Sequence, residues 1–433
     1  MNKSFKKKLL SVFIGAFLLR IILIFTPAHI DIINHVDWGT KLWEYGFKDF
    51  YEQIFWALSW PNQPIASIFL FGLIAKLKDF IFNSIMFVNV NVAIFPSLII
   101  PFLEKHLHII LLKLPFVFTD LGIGILIYKV VKDLVKKNTL ALLAAAFFLF
   151  NPALIYNSAV WGQTDSLINF LALLGLWLFW KDKLFFGIFF FILSLFFKLS
   201  LIILLPLLIF MIWQKRRIWL RLLLVFIANI VIFLLFAYPF VHHGNVFTWL
   251  WYLYTNRVLP RQGNMLSGNA FNLWTLFYGV DFSLKENLIV LGIQVKTWGR
   301  VIFSLISIIF TIALFLKKKS FDFKNYLQLG TVYSFSAFLF LTNMHERYLY
   351  PSLVLLVFLI FLKKKYSRLM IIFIILSFVY LLNLYNLWWM PRFEILVNLL
   401  SFGDALVPRI LSFSNIIIFL VILKEFWYEK KLA

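Results

Sequence analysis

The chain has 433 residues, 63% of them hydrophobic and 20% aromatic, and its mean hydropathy of +0.92 excludes a soluble globular protein. It has no cysteine, which excludes disulfides and thiolate metal sites. The formal net charge of +22 comes from short basic clusters between apolar runs, a pattern that indicates loop anchoring at a membrane and not nucleic-acid binding.

The apolar runs predict an all-α polytopic membrane protein with about 14 transmembrane helices (about 12 to 14) in a single domain over residues 1–433. The first run follows the lysine cluster at residues 6–8, and no small-residue cleavage site follows it, so we interpret it as an uncleaved first span. Helices are predicted to start near residues 8, 64, 84, 108, 138, 166, 184, 199, 219, 288, 325, 348, 369 and 409. The pairs 64–77/84–103 and 184–197/199–213 are left open as separate spans, re-entrant segments or merged helices.

Alternating the loops between the two sides of the membrane predicts cytoplasmic N- and C-termini. All seven histidines and most acids then fall on the external side, so we expect an integral protein of the cell or plasma membrane with an external active site. Two long external segments, residues 26–64 and 241–287, are predicted. In the first, tryptophans alternate with charged residues, which is typical of amphipathic helices lying in the interface.

The first polar constellation begins the segment after the first span and contains Asp31, His35 and Asp37. Asp31 is compatible with three roles. It can be a general base that deprotonates a hydroxyl, a ligand of a divalent cation together with water, or the N-cap of an interfacial helix. Asp37 is a secondary candidate for the same chemistry.

The second constellation is a polar segment at residues 151–166, predicted to be a turn between two spans. It is rich in groups that hydrogen-bond sugar hydroxyls, and Trp161 is suited to stacking on a pyranose face. The candidate binding residues here are Asn157, Trp161, Gln163 and Asp165. The structural alternative is an ordinary turn in which Asp165 or Ser166 caps the next helix.

The third constellation is the consecutive set His345, Glu346 and Arg347 at a predicted external helix junction. An arginine fork suits a phosphate, and His345 is able to donate to the same oxyanion. The alternative is an aromatic-belt loop with a salt bridge. Lys198, between two short spans, either meets a lipid phosphate or only extends to the interface.

Asp120 is the one acid predicted deep in a span, and Arg20 is a possible partner for it. Such a pair serves helix packing as readily as a site. Arg257 and Arg261 are candidates for contact with anionic headgroups, and the seven histidines form no recognisable metal-ligand set.

Together these segments resemble the GT-C superfamily of membrane glycosyltransferases. The nearest resemblance is to the mannosyltransferase-like proteins related to the GPI mannosyltransferases and to the dolichyl-phosphate-glucose-dependent glucosyltransferases. The Trp-Gly-Gln-x-Asp run at residues 161–165 is the most specific matching feature. The others are Asp31 followed by Trp38, the helix with Lys113, Pro115 and Asp120, and the triplet 345–347 before Pro351.

The resemblance implies an inverting hexosyltransferase that uses a polyprenyl-phosphate-linked mannose or glucose and a lipid-linked or cell-surface glycan acceptor. Asp31 matches the family's catalytic base, and His345 and Arg347 match the region that faces the donor phosphate. Lys198 is a further candidate for the donor phosphate from its own position in the sequence. The candidate residues for contact with the sugar or the acceptor are Trp161, Gln163, Asp165, Asn157 and Glu346. No cofactor is predicted beyond the lipid-linked donor, and dependence on a divalent metal is left open.

One departure concerns the end of the first external segment. Relatives often carry an Asp-Tyr-Pro-Pro element there, whereas this chain has no acid at residues 59–64. No second carboxylate role is therefore carried over. The alternatives are a transporter or flippase of lipid-linked glycans, which would place ionisable residues at mid-depth in several helices, and an enzyme of neighbouring type such as a protein O-mannosyltransferase.

Overall fold

The computed structural model describes residues 3–317, 321–362 and 367–427, with the side chains of Gln262 and Ser367 excepted. The chain is 78% helical, with 18 α-helices within the described ranges. This result agrees with the predicted all-α membrane protein. The basic clusters predicted at 318–319, 363–365 and 430–431, and the C-terminus with them, lie outside the described residues.

The helices follow one another through the chain with short 3-10 and π turns between several of them. Those of the first half are Lys3–Leu23, Ile30–Tyr45, Ile65–Asn91, Ile99–Val135, Asn138–Leu149, Pro152–Ile155, Asp165–Trp180, Leu184–Phe197 and Leu205–Gln214. Those of the second half are Trp219–Ala237, Val246–Tyr252, Leu273–Tyr278, Val295–Lys317, Phe323–Phe340, Tyr350–Leu362, Ser367–Tyr385, Glu394–Leu400 and Leu406–Trp427. The strands Ile289–Val290 and Ile293–Gln294 form a small antiparallel hairpin.

Five helices in the described ranges are long and apolar enough to cross a membrane, or six if one bent helix pair is counted as a span. Further apolar helices, such as Leu184–Phe197, are shorter than this standard. The protein is thus membrane-embedded by composition and helix length. The number of crossings, about 14 from the hydropathy pattern, stays a prediction.

The helix predicted to start near residue 84 is not a separate element. Helix Ile65–Asn91 runs through this position without a break. Between the two predicted runs stand Lys76, Lys78 and Asp79, and no proline interrupts them, so polar residues alone do not end a helix whose backbone bonds are satisfied. The charged side chains interrupt the hydropathy and leave the helix intact.

The predicted polar turn at residues 151–166 is mostly helical. Asn151 caps the new helix, because its side chain accepts from the backbone N–H groups of Ala153 and Leu154. Helix Pro152–Ile155 continues into a π turn over Tyr156–Trp161, and the helical pair around Asn151 is bent by 53°. Only residues 162–164 form the turn.

A buried ion pair ties the first helix to the fourth. Arg20 Nε lies 2.8 Å from Asp120 Oδ2, and both side chains are fully buried. Ser158 and Tyr350 also donate to Asp120, at 2.5 and 3.0 Å. The prediction that Arg20 pairs with Asp120 is confirmed, and the carboxylate joins four separate parts of the chain.

The first long segment folds over the end of this bundle. Helix Ile30–Tyr45 buries Ile32, Trp38 and Leu42 and leaves its other face open. It packs on helix Ile65–Asn91 through Gly39, where an added Cβ would lie 2.5 Å from the carbonyl oxygen of Phe71. This close approach sets the rotation of the helix, and therefore which of its acids faces inward.

Candidate functional site

A polar cavity of about 290 Å³ lies where the first long segment meets the bundle. Its walls come from parts of the chain that are far apart in sequence. These parts are residues 31–38 and 59–63, Gln163, Lys198, residues 261–265 and residues 345–348.

Half of the predicted site residues line this cavity, and half do not. The lining residues are Asp31, Gln163, Lys198, His345 and Arg347. The residues outside it are Asp37, Asn157, Trp161, Asp165 and Glu346. Two of the latter hold a lining residue: Asp165 forms an ion pair with Lys198, and Glu346 forms one with Arg347.

Asp31 stands in the first turn of helix Ile30–Tyr45, and it is not the cap. The N-cap is His29, whose ring nitrogen accepts from the backbone N–H of Asp31 at 3.1 Å. Asp31 Oδ2 accepts from Gln163 at 2.5 Å and lies 3.9 Å from Arg347. The contacts of this carboxylate with the described chain use Oδ2, so Oδ1 is the oxygen available to a ligand proton.

The charge state of Asp31 follows from its neighbours. Burial by itself raises the pKa of the Asp31 carboxyl, but the His29 ring and the Arg347 guanidinium lower it by more. The pKa of Asp31 is therefore held well below its usual range. The carboxylate is ionised across the physiological pH range.

Arg347 is the principal cation of the cavity. It donates to Glu346 Oε1 at 2.8 Å and lies 5.9 Å over the Trp161 ring. Burial lowers the pKa of Arg347, while the charges of Asp31 and Glu346 raise it by more, so the guanidinium stays charged. Its Nε is buried without a partner in the described chain, and buried donors are ordinarily paired. This N–H is available to an anionic ligand.

Lys198 is the second cation. It occupies the break between helix Leu184–Phe197 and the 3-10 turn that follows, where its extended backbone turns the chain. Its ammonium lies 3.2 Å from Asp165, and the side chain is 8% exposed. The structural alternative, in which Asp165 or Ser166 caps the helix, does not hold, because the N-cap is Thr164 and no side chain closes it. Asp165 instead holds Lys198 at the cavity wall.

Two histidines face the cavity as neutral rings. Burial and the charge of Lys198 and Arg347 lower the pKa of His35, and burial lowers that of His345, to about 3 in each case. His345 is held by the strand-like segment at Gly268, whose N–H donates to the carbonyl of Met344 at 2.8 Å. A Cβ on Gly268 would lie 2.8 Å from the His345 ring.

Trp161 is not an open platform. It is 3% exposed, and its ring packs 4.5 Å from His29 and 5.5 Å from Trp388. Asn157 is fully buried and donates to the hydroxyl of Tyr380. These residues brace the wall behind Arg347 and do not contact the cavity directly.

Asp37 has a structural position. One of its oxygens accepts from the backbone N–H of Ala57 at 3.0 Å, and the other lies 3.5 Å from Lys41. These contacts attach the chain near residue 57 to the helix. Asp37 therefore has no part in the cavity wall.

Sequence reasoning missed several residues that line or support the cavity, among them Arg261, Gln63 and Trp388. Arg261, predicted to contact headgroups, lines the cavity and lies 4.1 Å over the Trp60 ring. Gln63 lines it from the end of the first long segment. Trp388, from the connection between helices Ser367–Tyr385 and Glu394–Leu400, supports Trp161. Nothing in the short aromatic connection that contains Trp388 indicates from sequence that this residue supports Trp161.

The cavity is suited to an anion beside a base. Its lining contains three cations, Lys198, Arg261 and Arg347, against the single carboxylate of Asp31. Within the described ranges no group of three or more His, Asp or Glu residues is arranged to hold a metal ion. The donors present are those that bind phosphate oxygens.

Comparison with protein-family models and with curated proteins finds no match to this chain. The chemistry of the site therefore rests on its own residues.

Gly162 is required by the turn that presents Gln163 to Asp31. Its φ is +82°, and an added Cβ would lie 2.7 Å from Ile32 and 2.9 Å from Lys113. Gly292 has a similar φ of +77° but open space around it. We expect Gly162→Ala to lower the free energy of unfolding by about 1–3 kcal/mol more than Gly292→Ala does. Denaturant titration of the two variants in detergent measures the difference; equal losses would contradict the close packing.

Proposed function

We propose that this protein is an inverting glycosyltransferase of the GT-C type. It moves a hexose, mannose or glucose, from a polyprenyl-phosphate-linked donor to a lipid-linked or cell-surface glycan acceptor. The observation that carries the proposal is one ionised carboxylate, Asp31, 3.9 Å from Arg347 in a polar cavity at the end of apolar helices. A base and a phosphate site are thereby side by side.

Asp31 takes the proton of the acceptor hydroxyl on Oδ1 as the hydroxyl oxygen attacks the anomeric carbon. The bond from that carbon to the phosphate oxygen breaks, and the phosphate leaves with the electron pair. Arg347, Lys198 and Arg261 stabilise the charge that develops on the leaving phosphate. A single displacement of this kind inverts the anomeric configuration and needs no second carboxylate.

The cavity suits a lipid-linked substrate because of where it lies. A donor held in a bilayer by its prenyl chain carries its phosphate at the membrane boundary, near the ends of the spanning helices. The alternation of basic clusters along the sequence favours the external side for this end of the protein. Membrane lipids, the lipid-linked donor and the glycan acceptor are then the partners.

The side of the cavity formed by residues 59–63 is expected to contact the acceptor. It presents the amide of Gln63 and has no acid at residues 59–64, a segment in which relatives of the proposed family often carry one. An amide both donates to and accepts from sugar hydroxyls. This difference favours a neutral glycan acceptor in the contact with Gln63.

The second candidate is a transporter or flippase of lipid-linked glycans. The buried Arg20–Asp120 pair inside the apolar helices and the helix bent by 53° near Asn151 favour it, because transporters use ionisable residues and broken helices at mid-depth. The two functions separate in detergent. A glycosyltransferase forms product there, whereas a transporter needs a sealed membrane.

The test is incubation of the purified protein in detergent with polyprenyl-phosphate-linked mannose, glucose, galactose or arabinose. Glycolipid, glycan and peptide acceptors are supplied in parallel, and the anomeric configuration of the product is determined. Transfer of a hexose with inversion supports the proposal. Transfer to the peptide alone would favour a protein O-mannosyltransferase, and no transfer from any donor would overturn the enzyme.

The dependence of kcat/KM on pH should show no change caused by the titration of a histidine. Because the pKa of Asp31 is lowered, its carboxylate form, which is the base, is lost only in strong acid. His345 is neutral at pH values above about 3. We expect kcat/KM to be flat from about pH 5 to 8. A bound donor phosphate raises the pKa of Asp31 by like-charge repulsion, so the acid limb of kcat should lie at higher pH than that of kcat/KM. An acid limb of kcat/KM near pH 6.5 that disappears in His345→Asn would contradict this assignment.

A further inference from the structure

A large groove lies far from the polar cavity, between the beginning of the first helix and the end of the fourth. Its volume is about 950 Å³. The floor is apolar, from Leu9, Leu10, Phe13 and Ile125, and the rim carries four lysines. These are Lys6, Lys129, Lys132 and Lys136.

The charge of the rim is strongly one-sided. Asp133 is the one acid of the groove among the described residues, and it is already bracketed by Lys136, at 3.1 Å, and by Lys181. Four lysines against one carboxylate leave a net charge of +3. Lys132 also lies 5.7 Å over the ring of Tyr128, so the lysines crowd one side of an apolar channel.

The groove lies at the beginning of the first helix, Lys3–Leu23, and the polar cavity lies beyond the other end of that helix, from residue 31 onward. Lys113, on helix Ile99–Val135, donates to the Thr26 carbonyl at the cavity end, where the first helix is ending. Lys129 stands 16 residues farther along that helix, which is about 24 Å at 1.5 Å per residue. This separation approaches the thickness of a bilayer's hydrocarbon core, about 30 Å. The groove therefore meets the leaflet opposite to the cavity.

We propose that this groove binds one anionic glycerophospholipid of that leaflet. The phosphate lies among Lys6, Lys129 and Lys132, and the acyl chains lie on Leu9, Leu10 and Phe13. The charge complementarity of the rim selects the anionic headgroup, and basic recesses between spanning helices are the usual place for such headgroups. Leu10 is 60% exposed and Ile125 44% exposed, so the channel is open sideways to the lipid.

The occupant is tested by native mass spectrometry. Protein purified in detergent is equilibrated with equal amounts of phosphatidylglycerol and phosphatidylcholine and separated from free lipid. We expect one phosphatidylglycerol to be retained in preference to phosphatidylcholine. Equal retention of the two lipids would overturn the proposal, as would displacement by millimolar inorganic phosphate. Preferential retention of polyprenyl phosphate, added as a third lipid to the same mixture, would also overturn it.

Two pairs of variants separate the groove from general basicity. Lys129→Gln with Lys132→Gln should lower retention of phosphatidylglycerol ~10-fold, and Arg216→Gln with Arg217→Gln removes the same charge outside the groove. Leu10→Trp fills the channel without changing the charge. Its control, Leu18→Trp, adds the same bulk at an exposed position of the same helix that lies outside the groove. Both groove variants should lose the lipid and both controls should keep it. Equal loss in a control would overturn the site, and unchanged gel-filtration and melting profiles show that the variants fold.

Discussion

Replacing Asp31 with asparagine is expected to lower kcat for hexose transfer about 10²–10⁴-fold, the usual contribution of a general base. Asparagine keeps the shape and the acceptor for Gln163, whose amide lies 2.5 Å from Oδ2. It cannot take a proton from the acceptor hydroxyl. Because Arg347 remains paired with Glu346 and loses a competing carboxylate, the KM for the lipid-linked donor should stay the same or fall.

Asp37→Asn is the matched control for this substitution. It makes the same change of charge six positions along the same helix, outside the cavity, and its amide oxygen still accepts from the N–H of Ala57. Its transfer rate should stay near that of the wild type. Full activity of Asp31→Asn, or an equal loss in Asp37→Asn, would remove Asp31 from its proposed role. The donor-panel assay is independent of this outcome.

The largest effect on stability is expected at Asp120. Asp120→Asn leaves the guanidinium of Arg20 buried with no charged partner, and breaking a buried ion pair typically costs about 3–5 kcal/mol. Asparagine occupies the same volume, so the loss reports charge and not a cavity. Unfolding in detergent, followed by tryptophan fluorescence, measures the change in the free energy of unfolding.

Two controls locate the cause of that loss. Asp79→Asn breaks an exposed pair with Lys78 and should change stability by less than about 1 kcal/mol. The double variant Arg20→Met with Asp120→Leu removes both charges and should recover most of the stability lost in Asp120→Asn. A double variant as unstable as the single one would show that the hydrogen bonds from Ser158 and Tyr350 carry the stability instead.

If Asp31→Asn lowers kcat and Asp120→Asn lowers the free energy of unfolding as expected, these ionisable groups divide into two sets. The Arg20–Asp120 pair joins helices inside the apolar bundle, and Asp31 with Arg347 carries the chemistry at its end. A transporter would require the buried pair for function, whereas the glycosyltransferase requires it only for folding. Transfer by the charge-free double variant would distinguish these cases directly.

The sequence by itself determined the class of the protein and part of its core. Apolar runs with basic clusters between them predict membrane helices because a bilayer excludes unpaired polar backbone. The pairing of Arg20 with Asp120 was also predictable, because a lone acid in a span requires a partner. The sequence left open whether the runs beginning near residues 64 and 84 are separate helices, because hydropathy falls at Lys76 and Lys78. The structure decides for one continuous helix through residue 84, since the backbone hydrogen bonds of the helix continue.

The tertiary structure alone decided which polar residues share a cavity. Asp31 and Asp37 are six residues apart on one helix, which at 3.6 residues per turn places them on different sides. The sequence carries no signal for which side faces inward. The close approach of Gly39 to the Phe71 carbonyl sets that rotation.

The same holds for the partners of Asp31. Gln163 follows it by 132 positions, and Arg347 comes from a still later part of the chain. A short motif such as the triplet at residues 345–347 shows that a cation and a histidine are neighbours, and only packing shows what they face. Trp161 and Asp165 belong to the most specific motif, yet packing places both behind the wall. Long-range contacts of this kind depend on the helix rotations and breaks that local sequence leaves open.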